Sequence, residues 1–271
     1  MRWIINFLKG IAISVATMVP GVSGGTMAII LNVYDDLIHA VGSFFEDWRK
    51  HSRLIFELAL GGVAGVLIFS RIIDKALNTF PTLMAFFFIG VILGGIPTLY
   101  RKAVSIEKNN FNYIFLIVGF VLALFLSGGN EVASIAIEGT GIFNIGLLVL
   151  AGIIIAVALI LPGISGSFIL LILGLYDVTL DAINTFNIKF LIPVGIGVLI
   201  GIVLTTKIIE ELIKKYPGKT YMMILGFVMG SIIAIYPSEA TNTNIIYSIL
   251  ALIIGFAIIY FISKKDKEQL G

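Results

Sequence analysis

The sequence predicts an all-α integral membrane protein made of two inverted-topology repeats, each a broken or re-entrant helical hairpin followed by three transmembrane helices. Three observations predict it: an apolar composition, a motif that occurs twice, and a one-sided distribution of positive charge. Of the 271 residues 59% are hydrophobic and only 13% charged, and mean hydropathy is +1.08. A soluble domain carries about 25% charged residues. Several apolar runs approach or exceed the roughly 20 residues that a membrane helix needs. The chain has no cysteine, which excludes disulfides, thiol nucleophiles and thiolate metal sites. His39 and His51 form no H-x-x-x-H or H-x-x-E-H pattern and read as interfacial residues, so no metal site and no cofactor is expected. A net charge of +2 is too small to argue for nucleic acid.

The motif Pro20-Gly21-Val22-Ser23-Gly24 recurs as Pro162-Gly163-Ile164-Ser165-Gly166. Each copy is trailed at equal distance by a Tyr-Asp pair, Tyr34-Asp35 and Tyr176-Asp177. Aligned without a gap, residues 13–41 and 155–183 share 12 identities in 29 positions. After a six-residue change of offset the correspondence resumes. Ser70-Arg71-Ile72-Ile73-Asp74 matches Thr206-Lys207-Ile208-Ile209-Glu210, and Pro81 falls on Pro217. Gly90 and Gly94 fall on Gly226 and Gly230, and Phe125-Leu126-Ser127 on Phe261-Ile262-Ser263. The expected organisation is therefore repeat 1 over 1–128, a Gly-rich linker over 129–142, and repeat 2 over 143–271. Arg2 ahead of the apolar run Ile11–Val19 has the look of a secretory leader. Its counterpart Ile153–Leu161 lies in mid-chain, so the first segment is expected to be retained.

Each repeat begins with an apolar arm, then the Pro-Gly-x-Ser-Gly break, then a second arm over 24–33 or 166–175. At 1.5 Å per residue these second arms are short for a crossing. Ordinary spans are expected at 54–73, 82–100 and 112–127, then at 190–209, 221–236 and 244–262. A hairpin returns to its starting side, and three spans then leave each half on the opposite face, so the second repeat begins upside down. With the N-terminus inside, one face receives Arg2, Lys9, Arg49, Lys50, Arg53, Arg101, Lys102, Lys108, Lys207, Lys214, Lys215, Lys219, Lys264, Lys265 and Lys267. These are 15 of the 18 Lys and Arg residues, leaving Arg71, Lys75 and Lys189 for the other face. Cytoplasmic loops carry such an excess, which places both termini in the cytoplasm and favours the inverted plan of many secondary transporters.

Broken backbone survives in a membrane only where protein buries it or water reaches it. Pro20 and Pro162 stop a helix, and Gly21 and Gly163 allow positive φ or close approach. Ser23 or Ser165 could cap the next arm, whose first amides point into the break. Gly24, Gly25 and Thr26, with Gly166 and Ser167, add small residues and hydroxyls. Free N–H groups, a positive dipole end and hydroxyl donors make an anion site that a phosphate would fit. The competing reading is a plain turn between packed helices, with Gly and Ser allowing close contact. Symmetric duplication favours a transporter site.

Arg71 and Lys207 hold matched places at the ends of their spans. They could attract phosphate at the two entrances, or snorkel with help from Asp74 and Glu210. Glu57 could be a protonatable coupling group or a snorkelling or capping residue. Asp35 and Asp177 are expected to cap whatever follows, and Tyr34 and Tyr176 to mark the membrane interface.

These motifs resemble the bacterial and archaeal polyprenyl-phosphate translocases, once known only as a domain of unknown function. The resemblance spans nearly the whole chain. It implies a carrier that returns undecaprenyl phosphate to the cytoplasmic leaflet after cell-wall polymer synthesis, with Pro20–Thr26 and Pro162–Ser167 as the matching site residues. Its expected partners are the lipid phosphate and the bilayer. Polyprenyl-pyrophosphate phosphatases have a similar layout, but that chemistry wants a base and a cation clamp beside the hydroxyl, and both motifs lack Arg, His, Glu and Asp. A carrier of another anion stays open; no ring of acidic residues or carbonyl-filter signature supports a channel.

Overall fold

The structure, a computed structural model, describes residues 2–19, 22–44, 46–106, 109–127, 142–164, 166–237 and 245–268. The described residues form helices and no strand. The first half contains α1 (Arg2–Thr17), α2 (Gly24–Ile30), α3 (Tyr34–Gly42), α4 (Trp48–Thr79), α5 (Pro81–Ile106) and α6 (Asn112–Ser127). The second contains α7 (Ile142–Ile160), α8 (Gly166–Ile172), α9 (Tyr176–Asn184), α10 (Ile188–Lys215), α11 (Pro217–Ile235) and α12 (Ile245–Glu268). The six expected spans fall on α4, α5, α6, α10, α11 and α12. Five of these (α4, α5, α10, α11 and α12) are long and apolar enough to cross a membrane, while α1, α6 and α7 are shorter apolar helices.

The helix ends follow local chemistry. Asp47 and Asn187 precede α4 and α10, and their side chains accept hydrogen bonds from the amides of Lys50 (3.2 Å) and Phe190 (3.4 Å). Phe80 and Tyr216 each stand before a proline and take the same backbone angles, φ −134° and ψ 55° against φ −135° and ψ 55°. A residue before proline is pushed out of the helical region, and proline itself is suited to begin the next helix. So α4 and α10 both stop one residue short of their successors.

Packing also follows a doubled pattern. Helix α1 lies on α4 as α7 lies on α10, and α5 on α12 as α6 on α11, with α5 against α11 between them. The tight crossings use glycine. A side chain at Gly10 or Gly61 would run into the carbonyl of Leu58 or Phe7 across α1 and α4. At Gly152 or Gly197 it would meet Val194 or Val149 across α7 and α10. Lipid supplies no hydrophobic drive between helices, so close backbone packing of this kind carries the association.

Helix α3 gathers one end of the molecule. The His39 ring lies 5.0 Å from that of His51, in the first turn of α4. His39 Nδ1 is also 2.6 Å from Glu210 Oε1, near the end of α10. Asp35 is paired with Lys102, near the end of α5, and accepts a 2.7 Å hydrogen bond from the Tyr221 hydroxyl, near the start of α11. Helices α4 and α11 thus begin where α5 and α10 end. Arg49, Lys50, Arg53, Arg101, Lys102, Lys214, Lys215 and Lys219 therefore sit at that same end.

Candidate functional site

The two breaks meet in the interior. Pro162 and Thr26 are fully buried and Ser23 is buried. The Gly163 N–H donates to Thr26 Oγ1 at 2.8 Å, a buried bond between residues 137 apart in sequence. The Tyr34 hydroxyl donates to the Ile160 carbonyl at 3.0 Å, at the end of α7. Gly25 packs so closely on the second break that a Cβ there would lie 3.1 Å from the Ile160 oxygen and 3.3 Å from Pro162 Cα. Gly163 itself has φ +83°, and a side chain on it would strike the Phe227 carbonyl. Only glycine fits that position without strain.

Several expectations change on this geometry. Ser23 does hold the N-cap position of α2, with extended backbone (φ −92°, ψ 136°), but its hydroxyl makes no cap hydrogen bond. The Gly163 amide is not free: Thr26 occupies it, as the cost of an unpaired buried amide requires. Pro20, Gly21 and Ser165 lie outside the described residues, as does the side chain of Ser167; Gly24 and Gly166 begin α2 and α8.

Each second arm is only seven residues long and stops at a left-handed residue, Asn32 (φ 52°) or Gly174 (φ 66°). The next amide closes the turn in both halves, Val33 N–H to the Ala28 carbonyl (2.9 Å) and Leu175 N–H to the Leu170 carbonyl (2.8 Å). Asn32 and Gly174 occupy equivalent places before the Tyr-Asp pairs, a signal that could have located α3 and α9 in the sequence. The N-caps of these helices are Val33 and Leu175. Asp35 and Asp177 therefore stand in the first turn and are not caps. Asp35 serves instead in the pair with Lys102, and Tyr34 is buried against α7, not held at an interface. Tyr176 is half-buried.

Arg71 and Lys207 are exposed on α4 and α10, and neither makes a hydrogen bond or ion pair among the described residues. The neighbouring carboxylates are used elsewhere: Asp74 accepts from Asn78 (3.1 Å), and Glu210 binds His39 and Lys214, each at 2.6 Å. Glu57 accepts from Asn6 of α1 (2.7 Å) and from Arg53 (2.8 Å), which ties α1 to α4. Among the described residues no group of three or more His, Asp or Glu side chains is placed to hold a metal ion. Sequence reasoning missed the functional pairing of Lys102 and Tyr221 with Asp35. Their partners are 67 and 186 positions away, beyond any local pattern.

The two halves pack differently. Helix α3 packs on α10 of the other half, whereas α9 rests on α8 and α10 and makes no comparable contact with α4. Beside α9, at the start of α7 and α10, opens a cavity of about 720 Å³ whose lining includes Val178, Lys189, Phe190 and Pro193.

Fold and site together define a multi-pass membrane protein with two interrupted helical hairpins joined at its centre. The chain belongs to the undecaprenyl phosphate translocase-like family, which it matches over residues 13–251. It is 32% identical over 255 residues to a polyprenyl-phosphate transporter of Vibrio cholerae, a match covering 89% of this chain and 80% of that protein. It is 33% identical over 283 residues to a polyprenyl-phosphate transporter of Staphylococcus aureus, covering 99% and 98%. No solved structure shows significant similarity to it.

Proposed function

We propose that this protein carries undecaprenyl phosphate across the cytoplasmic membrane, returning it to the inner leaflet, and that it is a transporter and not an enzyme. The observation that carries the reading is the buried bond between Thr26 and Gly163, which joins the two breaks at one place. A lipid phosphate needs a shielded route for its head while the tail stays in hydrocarbon. The breaks offer that route: Gly25 and Thr26 lie against Ile160, Pro162 and Gly163, and we assign the rest of the head-group site to the other motif residues, Pro20, Gly21, Ser23, Gly24, Ser165, Gly166 and Ser167. An arriving phosphate competes with Thr26 for the Gly163 amide, so the protein keeps the site satisfied when empty. Neither motif contains a carboxylate or imidazole to activate a hydroxyl, in keeping with carriage and not with phosphate cleavage. Arg71 and Lys207, free of carboxylate partners among the described residues, are cations that draw the head group to the two faces.

We read the two halves, 1–128 and 143–271, as inverted repeats with both termini cytoplasmic. The matching helix pairs support this, as does the antiparallel relation of α4 to α10 and of α5 to α11, and so does the collection of basic side chains at one end. Docking of α3 on α10 closes that basic end. Release of α3 with docking of α9 on α4 would close the other, exposing the breaks to each leaflet in turn. The test is binding of the purified full chain to labelled undecaprenyl phosphate, its pyrophosphate and a neutral polyprenol. Preference for the monophosphate, weakened by Ser23→Leu and Ser165→Leu, is the expected result. Equal binding of all three lipids would refute the reading.

A further inference from the structure

A second apolar slot lies between α6, α10 and α11, with a volume of about 280 Å³. Its walls are Phe115, Leu161, Ile209, Leu212, Met223 and Phe227. Of the two hydroxyl-bearing residues in its lining, Tyr216 stands at the mouth, and the Thr220 hydroxyl is taken up by the carbonyls of Leu212 (3.0 Å) and Tyr216 (2.9 Å). The slot interior therefore suits hydrocarbon. At its mouth stands Lys219, whose ammonium lies 5.0 Å from the Tyr216 ring centroid and 5.8 Å from that of Phe115. No carboxylate pairs with it among the described residues. At the far end Leu161 leads into Pro162, and Phe227 closes over Gly163 with its carbonyl. From Lys219 to Phe227 the helix advances 227 − 219 = 8 residues, roughly 12 Å. The slot thus runs from the basic end of the molecule to the second break.

The cation has no counterpart in the other half. With the 136-residue offset that maps Pro81 onto Pro217, Lys219 corresponds to Leu83 and Thr220 to Met84. An unpaired ammonium held between two aromatic rings is partly stripped of water and gains most from an anionic oxygen partner. One anionic group followed directly by an apolar chain matches both ends of this slot.

We propose that the slot is a docking position for the lipid phosphate on the basic face, with its first prenyl units along Leu212, Met223 and Phe227 and its phosphate on Lys219. The proposal rests on the carrier reading above and adds a site outside the breaks. Its occupant is a prenyl phosphate, and free phosphate or an uncharged prenol lacks one half of what the slot recognises.

The test uses the full chain in detergent and a farnesyl phosphate carrying a diazirine in its chain, with labelled peptides mapped after irradiation. Labelling should concentrate on the Leu212–Phe227 segment and be displaced by farnesyl phosphate about tenfold better than by farnesol or inorganic phosphate. Lys219→Leu should remove that preference and leave farnesol binding unchanged, while Met223→Trp should abolish labelling. Mapping on the unmodified protein needs no variant to fold. Label scattered over other helices, displacement by farnesol or inorganic phosphate as effective as by farnesyl phosphate, or an unchanged preference in Lys219→Leu would overturn the slot. If in those cases the unmodified protein still binds undecaprenyl phosphate selectively, the carrier reading survives alone. If it binds no polyprenyl phosphate, both fall.

Discussion

Gly163 is held by three constraints at once: a left-handed backbone, a carbonyl over its Cα, and an amide committed to Thr26. Gly163→Ala should cost at least the 1–2 kcal/mol, roughly, of a left-handed alanine, with the clash against Phe227 added. Thr26→Val keeps the shape of the side chain and removes the acceptor, leaving a buried amide unpaired at a cost of about 1–3 kcal/mol. Thr26→Ser should restore most of the loss. Thermal unfolding of the purified protein in detergent measures all three. A Thr26→Val protein as stable as the parent would show that this bond does not hold the breaks together. Both residues stand out in the sequence, because an interrupted hydrophobic segment advertises its glycines and hydroxyls. Their bond to each other does not, since it depends on how segments 137 positions apart are folded onto one another.

The first hairpin is fixed at the level of its third helix. Asp35 of α3 takes Lys102 and Tyr221 together on one oxygen, and the Lys102 ammonium also lies 4.9 Å from the centre of the Tyr221 ring. Asp177 begins α9 in the same register but is exposed and unpaired among the described residues. Asp35→Asn should therefore loosen α3 from α5 and α11, whereas Asp177→Asn should leave α9 as it is. The Asp35 and Lys102 side chains are about one third exposed, so solvent screening limits the pair to about 1 kcal/mol, or roughly fivefold faster local opening. Amide hydrogen exchange over residues 34–42 and 176–184 reads both; equal exchange in Asp35→Asn and parent would remove α3 from its part as a closing element. The long helices were legible because uninterrupted apolar runs, prolines and capping residues mark them locally. Helices α3 and α9 were not, being nine residues each and mixed in polarity. What makes them helical and important is the tertiary surface they rest on.

The whole molecule is organised around a correspondence visible at both levels. Identities at offsets of 142 and 136 reappear as paired crossings, α1 with α4 and α7 with α10, and as matched turns at Phe80 and Tyr216. Charge distribution alone assigns the basic clusters to one face, and contacts around α3 bring eight of those side chains to one end. The unequal docking of α3 and α9 was not legible in the shared motif, because the two helices have only Tyr, Asp and Ala in common and the partners that hold α3, Glu210, Lys102 and Tyr221, lie far from it in sequence. Such an inequality is what the proposed carrier mechanism calls for, in which the breaks are the fixed point and the hairpins the moving parts. The most direct measurement is transport of labelled undecaprenyl phosphate between leaflets of proteoliposomes containing the purified full chain. The account predicts transfer of the monophosphate in preference to its pyrophosphate and a neutral polyprenol, and loss of transfer in Ser23→Leu with Ser165→Leu. Transfer at the rate of protein-free vesicles, or transfer unaffected by both substitutions, would contradict it.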